Sequence, residues 1–94
     1  MPLKPEEIET IHAVADAFTD ERVRSVDRVT QAKLAGRLLS IGNNVDPALA
    51  QLLYADMYSL AVDQDAIPDA MVRDHCNTIQ TGIQILLERG GRVS

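Results

Sequence analysis

Apolar residues recur at helical spacing over four stretches of this 94-residue chain. Residues three and four positions apart share one face of a helix, and each stretch carries such an apolar face. Pro5 with Glu6 and Glu7 begins the first stretch, because Pro suits the first helical position and acids favour the positive end of the helix dipole. The pattern predicts four helices, over about residues 5–18, 20–41, 47–63 and 68–89.

Short polar segments separate these helices. In "GNNVDP", Asp46 before Pro47 supplies the N-cap and the first turn of the third helix. Thr19 or Asp20 is the expected N-cap of the second helix. Because the connections are short, consecutive helices should be antiparallel neighbours. We therefore expect an all-α fold, with residues 1–94 forming one domain built as a four-helix bundle.

The third helix is apolar on most sides, which raises the question of what covers it. A chain of this size buries only about 60–65% of the surface that its unfolded form exposes. Either this helix is the central helix of the monomer, or its second face meets another protein. We expect the second arrangement, a homodimer or higher oligomer, in which the interface residues are Tyr54, Tyr58, Met57 and Ala61.

Asp56 interrupts the leucine-rich face of the same helix. A buried carboxylate without a partner is costly, so Asp56 should pair with a cation. Arg37, near the edge of the apolar arc of the second helix, is the expected partner in a buried ion pair, and Lys33 is the next candidate. Two other interpretations remain open: a pocket carboxylate that binds a ligand, and an exposed aspartate.

Composition indicates a globular, acidic protein. The chain is 46% hydrophobic and 24% charged, with a formal net charge of −5. This balance argues against a nucleic-acid partner, since binding by phosphate neutralisation requires clustered Lys and Arg. The second helix is nevertheless basic, and Arg24 with Arg28 forms a candidate docking face for an acidic partner. The simpler interpretation is a solvated helix face.

Cys76 is the only cysteine, so the chain cannot form an internal disulfide and a reducing compartment is expected. The segment "MPLKPEEIET" has no apolar run of signal-peptide length, and no stretch is apolar enough for a membrane span. We therefore expect a cytoplasmic protein that does not associate with membranes.

No metal or cofactor site is expected. His75 and Cys76 are adjacent, so on a helix they point about 100° apart and do not share one metal ion in the usual way. The acidic run "DQDAIPDAMVRD" has Pro68 where a calcium loop requires glycine, so its acids are more simply helix caps. A buried, structural thiol is the expected state of Cys76.

The stretch "RDHCNTIQTGIQILLERGG" resembles the helix of histidine-phosphotransfer proteins, in which an exposed histidine on a four-helix bundle accepts a phosphoryl group. The resemblance implies His75 as that histidine, although the positions after it depart from the family spacing and His75 projects toward the apolar face. His12 is the other candidate, without a surrounding motif.

The sequence therefore favours a small, non-enzymatic interaction protein. We expect a regulator, inhibitor or adaptor that occupies a partner's surface, for example an antiactivator or an inhibitor encoded by a phage or mobile element. That expectation is an analogy from size and charge. The alternatives are a phosphotransfer module, which requires an exposed His12 or His75, and a small-ligand sensor, which requires a pocket around Asp56.

Overall fold

The computed structural model describes residues 2–91. It contains four α-helices: α1 (Pro5–Ala17), α2 (Arg28–Gly42), α3 (Pro47–Asp63) and α4 (Asp69–Gly91). A short 3-10 turn, Gln64–Ala66, follows α3. All regular elements of the described residues are helical, so the expected all-α fold with four helices is confirmed.

Carboxylates cap the helix starts. Asp46 accepts a hydrogen bond from the Leu49 backbone N–H at 3.2 Å, and Pro47 occupies the first position of α3, as the sequence predicts. The Glu7 carboxylate accepts the Lys4 N–H at 2.9 Å at the start of α1. These local signals explain why α1 and α3 begin at the residues expected from the sequence.

The start of α2 differs from the prediction. The helix begins at Arg28, where Asp27 accepts the Thr30 N–H at 3.0 Å, and residues 18–26 form successive turns and bends. Val23 is fully buried within this turn segment. Its apolar spacing continues that of α2, so periodicity alone predicts one long helix, whereas the chain bends before Arg28 and still buries Val23.

The four helices pack in a ring around one hydrophobic core. α2 and α4 each contact both α1 and α3, which leaves α1 and α3 on the diagonal. The largest fully buried apolar side chains are Phe18, Ile11, Leu38, Met57, Leu60, Ile79, Ile83 and Leu86. The predicted apolar face of α4 enters this core, except that His75 is only partly buried.

Two glycines allow the helices to approach closely. A β-carbon on Gly42 would lie 2.7 Å from the Ala50 β-carbon, at the junction of α2 and α3. A β-carbon on Gly82 would overlap the Leu53 side chain, where α4 crosses α3. Gly82 therefore marks a close crossing of α4 over α3.

A strap joins the two ends of the described chain. The Leu3 N–H donates to the Gly90 carbonyl at 2.9 Å, and Leu3 is partly buried against the core. No helix among residues 2–91 combines the length and apolar character that a membrane crossing requires.

Candidate interaction surface

One line of residues on α3 faces away from the core. All five side chains are exposed, and we call this line the α3 seam: Ala48, Leu52, Ala55, Ser59 and Val62. Leu52 is 71% exposed and Val62 is 63% exposed. The opposite side of α3 is buried, so the seam is a second apolar line on a helix that already supplies the core.

α4 extends this surface on one side of the seam. One shallow depression is lined by Leu52, Ala55, Asp56, Ser59 and Thr78. The next is lined by Asn77, Thr78, Thr81, Gly82 and Ile85. Thr78 borders both, so the surface is continuous across the two helices. Both depressions open broadly to solvent, whereas small-ligand sites usually enclose most of the ligand.

This surface carries almost no charge. Between Pro47 and Val62 the only charged residue is Asp56, and between Asn77 and Leu87 there is none. Exposed helix faces usually carry Lys, Glu, Asp or Arg. Depletion of charged residues is the compositional signal of the centre of a protein interface. The chemistry of the surface therefore fits contact with another protein.

Asp56 lies at the edge of this surface and bonds to α4. The His75 Nδ1 lies 2.7 Å from Asp56 Oδ1, with the side chains 37% and 21% exposed, respectively. Because an ionised carboxylate can only accept, the His75 Nδ1–H donates in this bond. The bond links α3 to α4, and the other acid of α3 is Asp63, exposed at the end of the helix.

The prediction of an ion pair between Asp56 and Arg37 is wrong. Arg37 is exposed on α2, whereas Asp56 bonds to His75 of α4. The sequence pattern predicts Asp56 at the centre of the buried face together with Leu52. In the structure the buried face is centred on Met57 instead, so Asp56 lies at its α4 edge.

The interface predicted on α3 needs a correction. Met57 is fully buried and Ala61 nearly so, and both belong to the interior of the monomer. Tyr54 is partly buried, and its ring stacks on that of Tyr58 with centroids 5.8 Å apart. Tyr58 is 46% exposed and flanks the seam, three residues after Ala55. An interface role for the two tyrosines stays a prediction.

Arg24 and Arg28 do not form a free basic face. Arg28 lies 2.8 Å from the Asp65 carboxylate, and Arg24 lies 2.5 Å from that of Asp69. Arg24 also donates to the Gln64 carbonyl at 3.2 Å. The predicted helix over residues 20–27 would have pointed Arg24 to solvent. The observed turns direct it to the acidic connection between α3 and α4.

Cys76 is buried, as expected for a structural thiol. Burial raises its pKa from 9.0 to about 11, with smaller contributions from the carboxylates of Asp20 and Asp56. Since the thiolate is the nucleophile, this environment suppresses reactivity. Within residues 2–91, no group of three or more His, Cys, Asp or Glu side chains is arranged to hold a metal ion.

Neither histidine stands out as a phosphate acceptor. His12 is exposed on α1, and His75 is partly exposed with one ring nitrogen bonded to Asp56. Exposed histidines on helices are common, so this geometry does not favour phosphotransfer.

A buried pair of glutamines is absent from the sequence-based expectations. The Gln31 Nε2 donates to the Val23 carbonyl at 2.7 Å, and the Gln64 Nε2 donates to Gln31 Oε1 at 2.8 Å. Both side chains are fully buried. The one available signal was the position of Gln31, four and seven residues before Ala35 and Leu38, on the line that α2 buries.

The chain matches no known protein family, and searches of curated proteins and of solved structures also find no match. We therefore infer function from the surface chemistry of this chain.

Proposed function

We propose that this protein is a small helical interaction module that regulates, inhibits or connects other proteins by occupying a surface, without chemistry of its own. The observation that supports this proposal is the exposed, nearly charge-free surface formed by the α3 seam and the adjoining side of α4. Apolar exposure on α3 is costly in water, and it is retained here beside a core that α3 already completes.

A capture experiment with matched variants tests this proposal. The purified chain is immobilised, and proteins retained from an extract of its own source cells are compared between Leu52→Gln/Val62→Gln and Val29→Gln. Val29 is 61% exposed on α2 and is not part of the seam, so it is a control for the loss of an exposed apolar side chain.

Proteins retained by the unaltered chain and by Val29→Gln, but lost with the seam variant, are the expected result. Retention of the same proteins by all three would show that the seam is not the contact surface.

A further inference from the structure

We propose that the α3 seam is covered by a second copy of this chain, with the two α3 helices antiparallel across a two-fold axis. This inference rests on the proposed function: a second copy occupies the surface in the free protein, and another protein binds there by displacing that copy. Four features of the molecule support it: the spacing of the seam, its self-complementarity, its lack of charge and its extent.

The spacing of the seam is that of a helix–helix contact. Its residues follow one another at intervals of four, three, four and three, which is the 3.5-residue repeat along which two α-helices pack. Three of the five side chains are small, those of Ala48, Ala55 and Ser59. Small side chains at such a contact let the helices approach closely and leave room for the larger ones between them.

The seam is complementary to itself when it runs antiparallel. Leu52 of one copy then lies against Ala55 of the other, and Ala48 lies against Ser59. The large Leu52 thus meets a small side chain, as close packing requires. A two-fold contact repeats each of these pairs in reverse, so a single surface satisfies both copies.

The lack of charge on the seam allows two copies with the same net charge to associate through it. Each copy has a formal net charge of −5, so contact through most of its surface would bring like charges together. The seam brings none, because its five residues are uncharged, and the Asp56 carboxylate at its edge is hydrogen-bonded to His75 of the same chain. A strongly acidic or basic partner would find no complementary charge here.

The area available is that of an ordinary dimer. One long side of a molecule measuring 42 × 20 × 19 Å has a projected area of roughly 800 Å². Stable interfaces typically bury about 800 Å² of each partner. The seam runs along about 21 Å of α3, half of the longest dimension, so the adjoining side of α4 has to supply the rest of the contact.

Sedimentation over a concentration series, with a charged variant on the seam, tests the dimer. Leu52→Glu should weaken dimerisation about tenfold or more, because in this register it places an unpartnered charge of each copy against Ala55 of the other. Val29→Glu adds the same charge on α2 at an apolar residue that is 61% exposed, against 71% for Leu52, and it should change the dissociation constant by less than about twofold. Circular dichroism checks that both variants keep their helices.

Cross-linking provides a second measurement that does not disturb packing. Ala55→Cys places a thiol in the middle of the seam, and Ala13→Cys places one on α1, diagonally across the bundle. The native Cys76 is buried and adds little background. A short bismaleimide should join two copies of the Ala55→Cys variant and leave the Ala13→Cys variant unlinked.

Each outcome separates the two proposals. A monomer at high concentration, no cross-link in the Ala55→Cys variant, or equal weakening by both glutamates would overturn the dimer. If seam-dependent capture of other proteins persists in that case, the proposed function stands with a different occupant. If capture fails as well, both proposals are wrong.

Discussion

At the scale of single residues, glycines report how closely the helices approach. Gly42→Ala should lower the free energy of unfolding by about 1–3 kcal/mol, because its new β-carbon meets that of Ala50, which cannot rotate away. Gly36→Ala, in the interior of α2 with open space around it, should raise stability by up to about 1 kcal/mol. Urea unfolding of the two variants measures both effects. A gain in both would show that α2 and α3 have room to separate.

The buried thiol gives a prediction about pH. In the folded chain the pKa of Cys76 is raised to about 11, while the unfolded thiol titrates near 9.0. Between these values the folded state holds a proton that the unfolded state has lost, so this residue makes stability fall as pH rises. Cys76→Ala should flatten that part of the stability profile measured by denaturant unfolding. Equal slopes for both proteins would contradict the assignment.

Labelling offers a separate check on the same residue. A bulky thiol reagent should modify native Cys76 far more slowly than the unfolded chain, because the side chain is buried and protonated. Labelling at the rate of a free thiol would mean that this part of α4 opens readily.

At the scale of elements, most helix boundaries follow from residues close by in the sequence. The boundary that was predicted wrongly, the start of α2, lies where residues distant in the sequence make contact. Proline and aspartate mark the start of α3, proline and glutamate mark that of α1, and apolar spacing marks the buried side of α4. The start of α2 was not predictable in this way. Val23 continues the helical spacing, but around the bend Gln31 and Arg24 bond to Gln64, Asp65 and Asp69, which lie some 33 to 45 positions further along the chain.

The same distinction between local and distant signals explains which features of the interaction surface could be predicted from the sequence. Its lack of charge is visible in the sequence, and so is the excess of apolar residues on α3. Which side of α3 enters the core depends on the rotation of the helix against α2 and α4. A modest error in that rotation placed Leu52 and Asp56 within the buried face and led to the wrong partner for Asp56.

Gln31 tests whether the turn segment depends on the buried glutamines. Gln31→Ala should destabilise the fold by about 1–3 kcal/mol, because the carbonyl of Val23 and the amide of Gln64 lose their buried partner. Gln84→Ala, at an exposed position of α4, should stay within about 0.5 kcal/mol of the unaltered chain. Thermal unfolding compares them. Similar losses of stability in the two variants would mean that the buried glutamine pair does not stabilise the fold.

At the scale of the whole molecule, salt distinguishes two modes of association. Contact through the charge-free seam is opposed only by the net charge of −5 on each copy, so added salt should strengthen it by screening. Added salt would instead weaken a contact between Arg24 or Arg28 and an acidic surface, because it screens their attraction. Sedimentation equilibrium at low and high salt shows whether added salt strengthens or weakens association. Weaker association at high salt would exclude the seam as the dominant contact.

The strap between Leu3 and Gly90 makes the polypeptide almost a closed ring. Circular permutation should therefore be tolerated: a short linker would join these two positions, and new ends would open between Glu21 and Arg22, which are both exposed. Circular dichroism should show the same helical content as the original order, and an unfolded product would contradict it. Sequences attached at the two sides of the strap would leave side by side, so the bundle could be inserted into a loop of another protein without stretching its host.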